Sequence, residues 1–135
     1  MLYPAIIQRL NKIAVALLCA PLLALSIVPI AYAQPNYGAI SYSEGTREHG
    51  FSFDFQSRGE AEARALSECE QAAGSGDCYV LIWFRNACGA LAESPGGGFG
   101  SGWGSERAVA EQYALESCNE FGQQCTISQW VCTTQ

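Results

Sequence analysis

Apolar and polar positions follow three rhythms along this chain, and each predicts a different element. The first stretch has no alternation: Ile13 to Ile30 is almost wholly apolar. Arg9 and Lys12 precede it and Ala31-Tyr32-Ala33 follows, the charged, apolar, small-x-small order of a cleaved signal peptide. Residues 1–33 are therefore expected to depart, leaving Gln34 as the new N-terminus. A retained membrane anchor is the competing reading, since the run is long enough to span, but Pro21 and Pro29 interrupt it. Leu18 before Cys19 lacks the small residue that lipid attachment requires.

Further on, Phe51-Ser-Phe-Asp-Phe55 alternates strictly, which predicts a strand with one apolar face. Tyr37 to Tyr42 reads as its partner, with Ser43, Gly45 and Gly50 in the turn between them. Ser57-Arg-Gly-Glu60 has capping-box spacing and opens a helix running to about Ala73. Leu66, Cys69 and Ala73 share one face of that helix, and Gly74-Ser-Gly76 ends it. Cys78 to Phe84 is continuously apolar, which predicts a strand covered on both faces.

The same order then returns. Ala61-Glu-Ala-Arg-Ala-Leu-Ser-Glu-Cys69 matches Ala110-Glu-Gln-Tyr-Ala-Leu-Glu-Ser-Cys118 at an offset of 49. Cys78 to Trp83 matches Cys125 to Trp130 at 47, and Gly38-Ala-Ile matches Gly89-Ala-Leu at 51. Three blocks in one order indicate an internal duplication. Copy one covers about residues 37–84 and copy two about 85–133. In the second copy Cys88 to Glu93 is a strand, Pro95 to Gly104 a glycine-rich segment, and a helix begins near Ser105. Leu115, Cys118 and Phe121 are expected to form its buried face. Cys125 to Cys132 closes the chain, with Ile127, Gln129 and Val131 on one side and Trp130 on the other. The fold class expected is α+β: duplicated β-β-α-β units, antiparallel sheet or sheets with two helices packed against them, in one domain over 34–135.

Charge and cysteine narrow the chemistry. Without residues 1–33 the remaining 102 residues carry five arginines, no lysine and thirteen carboxylates, a net of −8. Such a chain is a poor ligand for nucleic acid or anionic lipid, and it suits a cationic protein partner or simply solubility. Cys69, Cys78, Cys88, Cys118, Cys125 and Cys132 remain, an even number that reads as three disulfides in an exported chain. Six cysteines allow 15 pairings. The helix-to-strand register favours Cys69 with Cys78 and Cys118 with Cys125, which leaves Cys88 for Cys132. Chain entropy gives the two short loops about 2.5 kcal/mol each and the long one about 4. Zinc is disfavoured because no C-x-x-C pair occurs and His49 is the sole imidazole.

Tyr37-Gly-Ala-Ile, Ala61-Glu-Ala-Arg-Ala-Leu, Trp83-Phe-Arg-Asn-Ala-Cys-Gly-Ala-Leu91 and Trp130-Val-Cys132 resemble the bacterial domain of unknown function 4189 family. The likeness runs from Tyr37 to about Thr133. It implies an exported, cysteine-containing α+β domain and brings no catalytic or ligand residues with it.

Candidate chemistry is sparse. The glycine-rich segment lacks the G-K-[ST] ending of a phosphate loop and does not open a strand-to-helix dinucleotide unit. It reads as a hairpin where backbones approach closely. Any catalytic base of the imidazole type would have to be His49, which sits in a polar turn. Glu60, Glu62, Glu68 and Glu70, with Glu106, Glu111, Glu116 and Glu120, could in principle supply a hydrolase carboxylate pair, but they have the spacing of solvated helix faces. No catalytic, cofactor or metal residue is assigned. Trp83 and Trp130 are expected in the core. Arg85 and Asn86 lie at the junction of the copies, where arginine would brace the halves. Trp103, Phe99 and Arg85 are the candidate partner contacts. The leading expectation is an exported, periplasmic or extracellular, non-catalytic binding module, pictured as an inhibitor or neutraliser of a secreted protein. The alternatives are a small carboxylate-dependent hydrolase and a secreted host-directed factor.

Overall fold

The computed structural model describes residues 34–134, so the expected signal segment lies outside the described residues. The first unit comprises β1 (Tyr37–Tyr42), β2 (His49–Phe55), α1 (Arg58–Ala73) and β3 (Tyr79–Arg85). The second comprises β4 (Cys88–Glu93), β5 (Phe99–Gly104), α2 (Arg107–Phe121) and β6 (Thr126–Cys132). Each unit forms a three-stranded antiparallel sheet with its first strand in the middle, in the orders β2-β1-β3 and β5-β4-β6. The helix carries the chain across the sheet face, so the strands before and after it flank the first.

Alternation along the central strands explains the layering. Ile40 and Tyr42 of β1 and Leu91 of β4 turn inward and meet Phe84, Ala87 and Val131 between the sheets. Ala39 turns outward onto Ala61 and Ala65 of α1, while Cys88, Ala90 and Ala92 turn onto Ala110, Ala114 and Cys118 of α2. The result is four layers: helix, sheet, sheet, helix. Both helices sit very close to their sheets. A Cβ on Gly50 would lie 2.2 Å from the Ala65 carbonyl, and one on Gly100 2.2 Å from the Cys118 amide. Only glycine admits a backbone at that distance.

This closeness corrects the expected helix faces. The buried stripes are Ala61, Ala65 and Cys69 in α1 and Ala110, Ala114 and Cys118 in α2. Small residues take the contact line, and larger ones are pushed to the flanks. Phe121 is 73% exposed rather than buried. β3 is also corrected: it is an outer strand with Phe84 buried and Tyr79, Trp83 and Arg85 exposed. Trp83 and Trp130, expected in the core, are 39% and 40% exposed. Arg58 lies over the Trp83 ring at 4.4 Å and Arg107 over the Trp130 ring at 3.9 Å.

Local chemistry closes the elements as the residues dictate. Ser57 caps α1, accepting from the Glu60 amide, and Gly74 ends it at φ 61. Glu106 heads α2 without a side-chain cap. Asp77 accepts from Ser43 Oγ (2.6 Å), from the Ser75 hydroxyl and from the Gly45 amide (3.0 Å), which holds its carboxyl below the usual aspartate range. Disulfides join Cys69 to Cys78 and Cys118 to Cys125, each with Cα atoms 6.1 Å apart. A third joins Cys88 to Cys132, which face each other directly across β4 and β6.

Candidate binding groove

Among the described residues four strands lie at sheet edges, and an edge offers unpaired N–H and C=O groups to any passing chain. Three of the four are interrupted. β2 shifts register against β1 between Tyr37 and Ala39, β3 shifts at Ile40/Ser41, and β6 shifts at Leu91/Ala92. Such irregularities bend an edge away from further pairing. β5 pairs with β4 through all six residues without a shift.

β5 lies at the floor of a groove. One wall is α2, where Tyr113, Ser117 and Phe121 stand one turn apart. The other is β3, through Leu81 and Ile82. Two hollows of about 430 and 460 Å³ adjoin along it and share Ser101. Trp103, 56% exposed, stands at one end.

The duplication supplies an internal comparison. In the first unit the position of Ser101 is held by Phe51, since Ile40↔Phe51 corresponds to Leu91↔Ser101. The Phe51 amide points out of the sheet and donates to Glu68 Oε2 at 3.3 Å. Glu68 is itself paired with Arg64 at 2.6 Å. That edge is therefore filled by its own helix. In the second unit Tyr113 replaces Arg64, Ser117 replaces Glu68 and Phe121 replaces Ala72. Across the way Leu81 and Ile82 stand where the other side has Ser128 and Gln129. By the same register the Ser101 N–H and C=O point outward, and no carboxylate stands at the position of Glu68 to meet them.

The residues singled out from sequence disperse. Trp103 lines the groove. Phe99 lines its far end, but its ring packs half-buried on Tyr42, with centroids 4.6 Å apart. Arg85 is exposed at the end of β3 and forms no ion pair among the described residues. The bracing expected of it falls to Arg47, which joins Glu93 Oε1 (3.3 Å) and the Ser94 carbonyl (2.9 Å) across the units. Tyr42 donates to the same Glu93 oxygen at 2.8 Å. Burial, then that hydrogen bond, push the Tyr42 phenol up to about 12. The helix carboxylates Glu62, Glu68 and Glu111 are each held by an arginine one turn earlier. Among the described residues no cluster of metal-ligating side chains occurs. Tyr113, Ser117, Phe121, Leu81 and Ile82 were missed by reading each copy alone; laying the two copies side by side picks them out.

The match to the family model described as a domain of unknown function (DUF4189) covers residues 37–132, nearly all of the described residues. The chain belongs to that family. Among relatives, it is 47% identical over 62 residues to the protein Rv1269c of Mycobacterium tuberculosis and equally to Mb1300c of Mycobacterium bovis. Those stretches are 46% of this chain and 45% of each relative, so the match spans less than half of either. Among solved structures it is similar to the NMR structure of Rv1813c from M. tuberculosis, at 27% identity and a TM-score of 0.53, over 78% of this chain and 80% of that one. The fold is thus similar to that of Rv1813c.

Proposed function

We propose that this protein is an exported, non-catalytic binding module that holds another protein along the β5 edge. The observation that carries the reading is the contrast between the two related edges: one closed by Glu68 and Arg64, the other regular, uncovered and lined by aromatic and aliphatic side chains. An exposed regular edge is a liability that natural chains remove unless it is used. Three disulfides and the leader pattern of residues 1–33 support export to the periplasm or beyond. A rigid binder with a net of −8 suits the role of inhibitor or neutraliser of a cationic secreted protein, because charge complementarity speeds encounter. The hydrolase alternative loses ground, since three of its carboxylates already hold arginines on their own helices.

The test is parallel capture from envelope extracts on the immobilised protein and on its Phe121→Asp variant. A protein retained by the first and not by the second supports the reading. Identical retention profiles would remove the groove from the function. Cell fractionation with N-terminal sequencing checks export, the expected start being Gln34.

A further inference from the structure

Resting on that reading, we infer that the occupant is an extended basic segment of another protein, added to the second sheet as a fourth strand beside β5. The strand form follows from the edge. Phe99, Ser101 and Trp103 share the outward orientation, so a guest strand finds donors and acceptors at two-residue intervals. Its side chains alternate between two surroundings. One set points toward Leu81, Ile82 and Trp103, which is apolar. The other points toward α2.

The α2 side is where charge enters. Glu116 and Glu120 are exposed and lie on the solvent side of the line formed by Tyr113, Ser117 and Phe121. Their counterparts on α1 are Ser67 and Gln71, which are neutral. The second unit has therefore exchanged a charged wall with a neutral rim for an aromatic wall with an acidic rim. A lysine or arginine of the guest would lay its stem over Tyr113 or Phe121 and bring its head to these carboxylates. The described residues already contain that arrangement twice: Arg58 sits between Trp83 and Glu62, and Arg107 between Trp130 and Glu111. The guest pattern is thus apolar and basic residues in alternation.

The probe is a fluorescein-labelled Arg-Val-Arg-Val-Arg-Val-Arg peptide, compared with its Glu-Val and Ser-Val counterparts by fluorescence anisotropy on the purified protein. Two variants decide the matter. Ser117→Glu restores the carboxylate that closes the first unit's edge, and Ser101→Pro removes the outward donor at an edge position where proline is tolerated. The basic peptide is expected to bind about tenfold more tightly than the other two, and each variant to weaken it about tenfold with an unchanged circular dichroism spectrum. Ser117→Glu is the sharper of the two, because it adds a negative charge: plain attraction between a basic peptide and an acidic surface would make binding tighter, whereas strand addition makes it weaker. Binding that is tightened or unmoved by Ser117→Glu overturns the inference and the groove with it. If the Ser-Val or Glu-Val peptide binds as well and Ser117→Glu still blocks it, the groove stands and the basic guest falls. A concentration-dependent dimer in sedimentation, lost on Ser117→Glu, with no peptide bound, would make a second copy of this chain the occupant and refute the inference.

Discussion

Phe84 fills the centre of the molecule, and a single methyl group opposite it should reveal how tightly. The ring is 2% exposed and lies between the two central strands. A Cβ on Gly89 would stand 2.3 Å from Phe84 Cε1 and 2.6 Å from Cδ1, and one on Gly38 would stand 2.3 Å from Cε2. The ring is thus pressed from both sides and cannot retreat from Gly89→Ala. Overpacking of this kind costs about 1–3 kcal/mol, and the blocked retreat places the expected value near the top of that range, about 3 kcal/mol. Phe84→Leu shortens the wedge at a cost of about 1.5 kcal/mol, well below the roughly 3–5 of full truncation to alanine. In the double variant the methyl added at position 89 enters the space the ring has left. The pair should then cost about 2 kcal/mol rather than the additive sum near about 4.5. Urea unfolding followed by tryptophan fluorescence, with the disulfides intact, measures all four corners of the cycle. Additivity within about 0.5 kcal/mol would refute the packing argument.

Tyr42 and Tyr79 should ionise late. Burial first, then the hydrogen bonds to Glu93 and Glu44, push both phenols up to about 12. Because the folded value lies above the ordinary one, the stability Tyr42 contributes is complete below about pH 10 and is lost as pH rises through about 12. Tyr42→Phe should flatten that alkaline slope, and absorbance at about 295 nm follows the phenolates. Replacing both Cys88 and Cys132 by serine opens the longest loop, with a separation of 44, and should cost about 4 kcal/mol, against about 2.5 for the Cys118 and Cys125 pair, in urea titrations. Ser41 Oγ is buried without a hydrogen-bond partner among the described residues, and its counterpart in the second unit is Ala92. Ser41→Ala should therefore raise stability by about 1 kcal/mol in thermal unfolding; a loss would show that the hydroxyl is satisfied.

The order of elements was legible because the rhythms that predict strand and helix are local. Phe51 to Phe55, the Ser57 cap and the glycine stop at Gly74 each act within a few residues. The duplication carried the repeated order of elements, whereas the strand order, with β1 and β4 in the middle of their sheets, depends on pairings distant in sequence. Faces were harder. The alanine stripes of both helices depend on glycines well away in sequence, such as Gly50 beneath Ala65 and Gly100 beneath Cys118, which allow the close approach. A pattern that ranks leucine and phenylalanine above alanine therefore points the helix the wrong way, as it did for Phe121. Trp83 misled for a related reason: an aromatic ring in an apolar run reads as core, yet Arg58 provides its cover from outside. The groove was invisible in either copy alone. It consists of differences at equivalent positions, and only the partition of Glu68 and Ser117 between a closed edge and an open one gives those differences meaning.

The phenyl ring at position 84 also makes the two halves depend on each other. It touches Gly38 and Gly89, which are the same site in the two halves, so one ring occupies a space that belongs to both equally. A pair of identical halves would bring two identical side chains to that single vacancy. Two first halves would set phenyl against phenyl, and two second halves, with Val131 in that role, would leave it underfilled. That one space therefore needs one large and one small side chain, which two different halves supply and two identical halves would not.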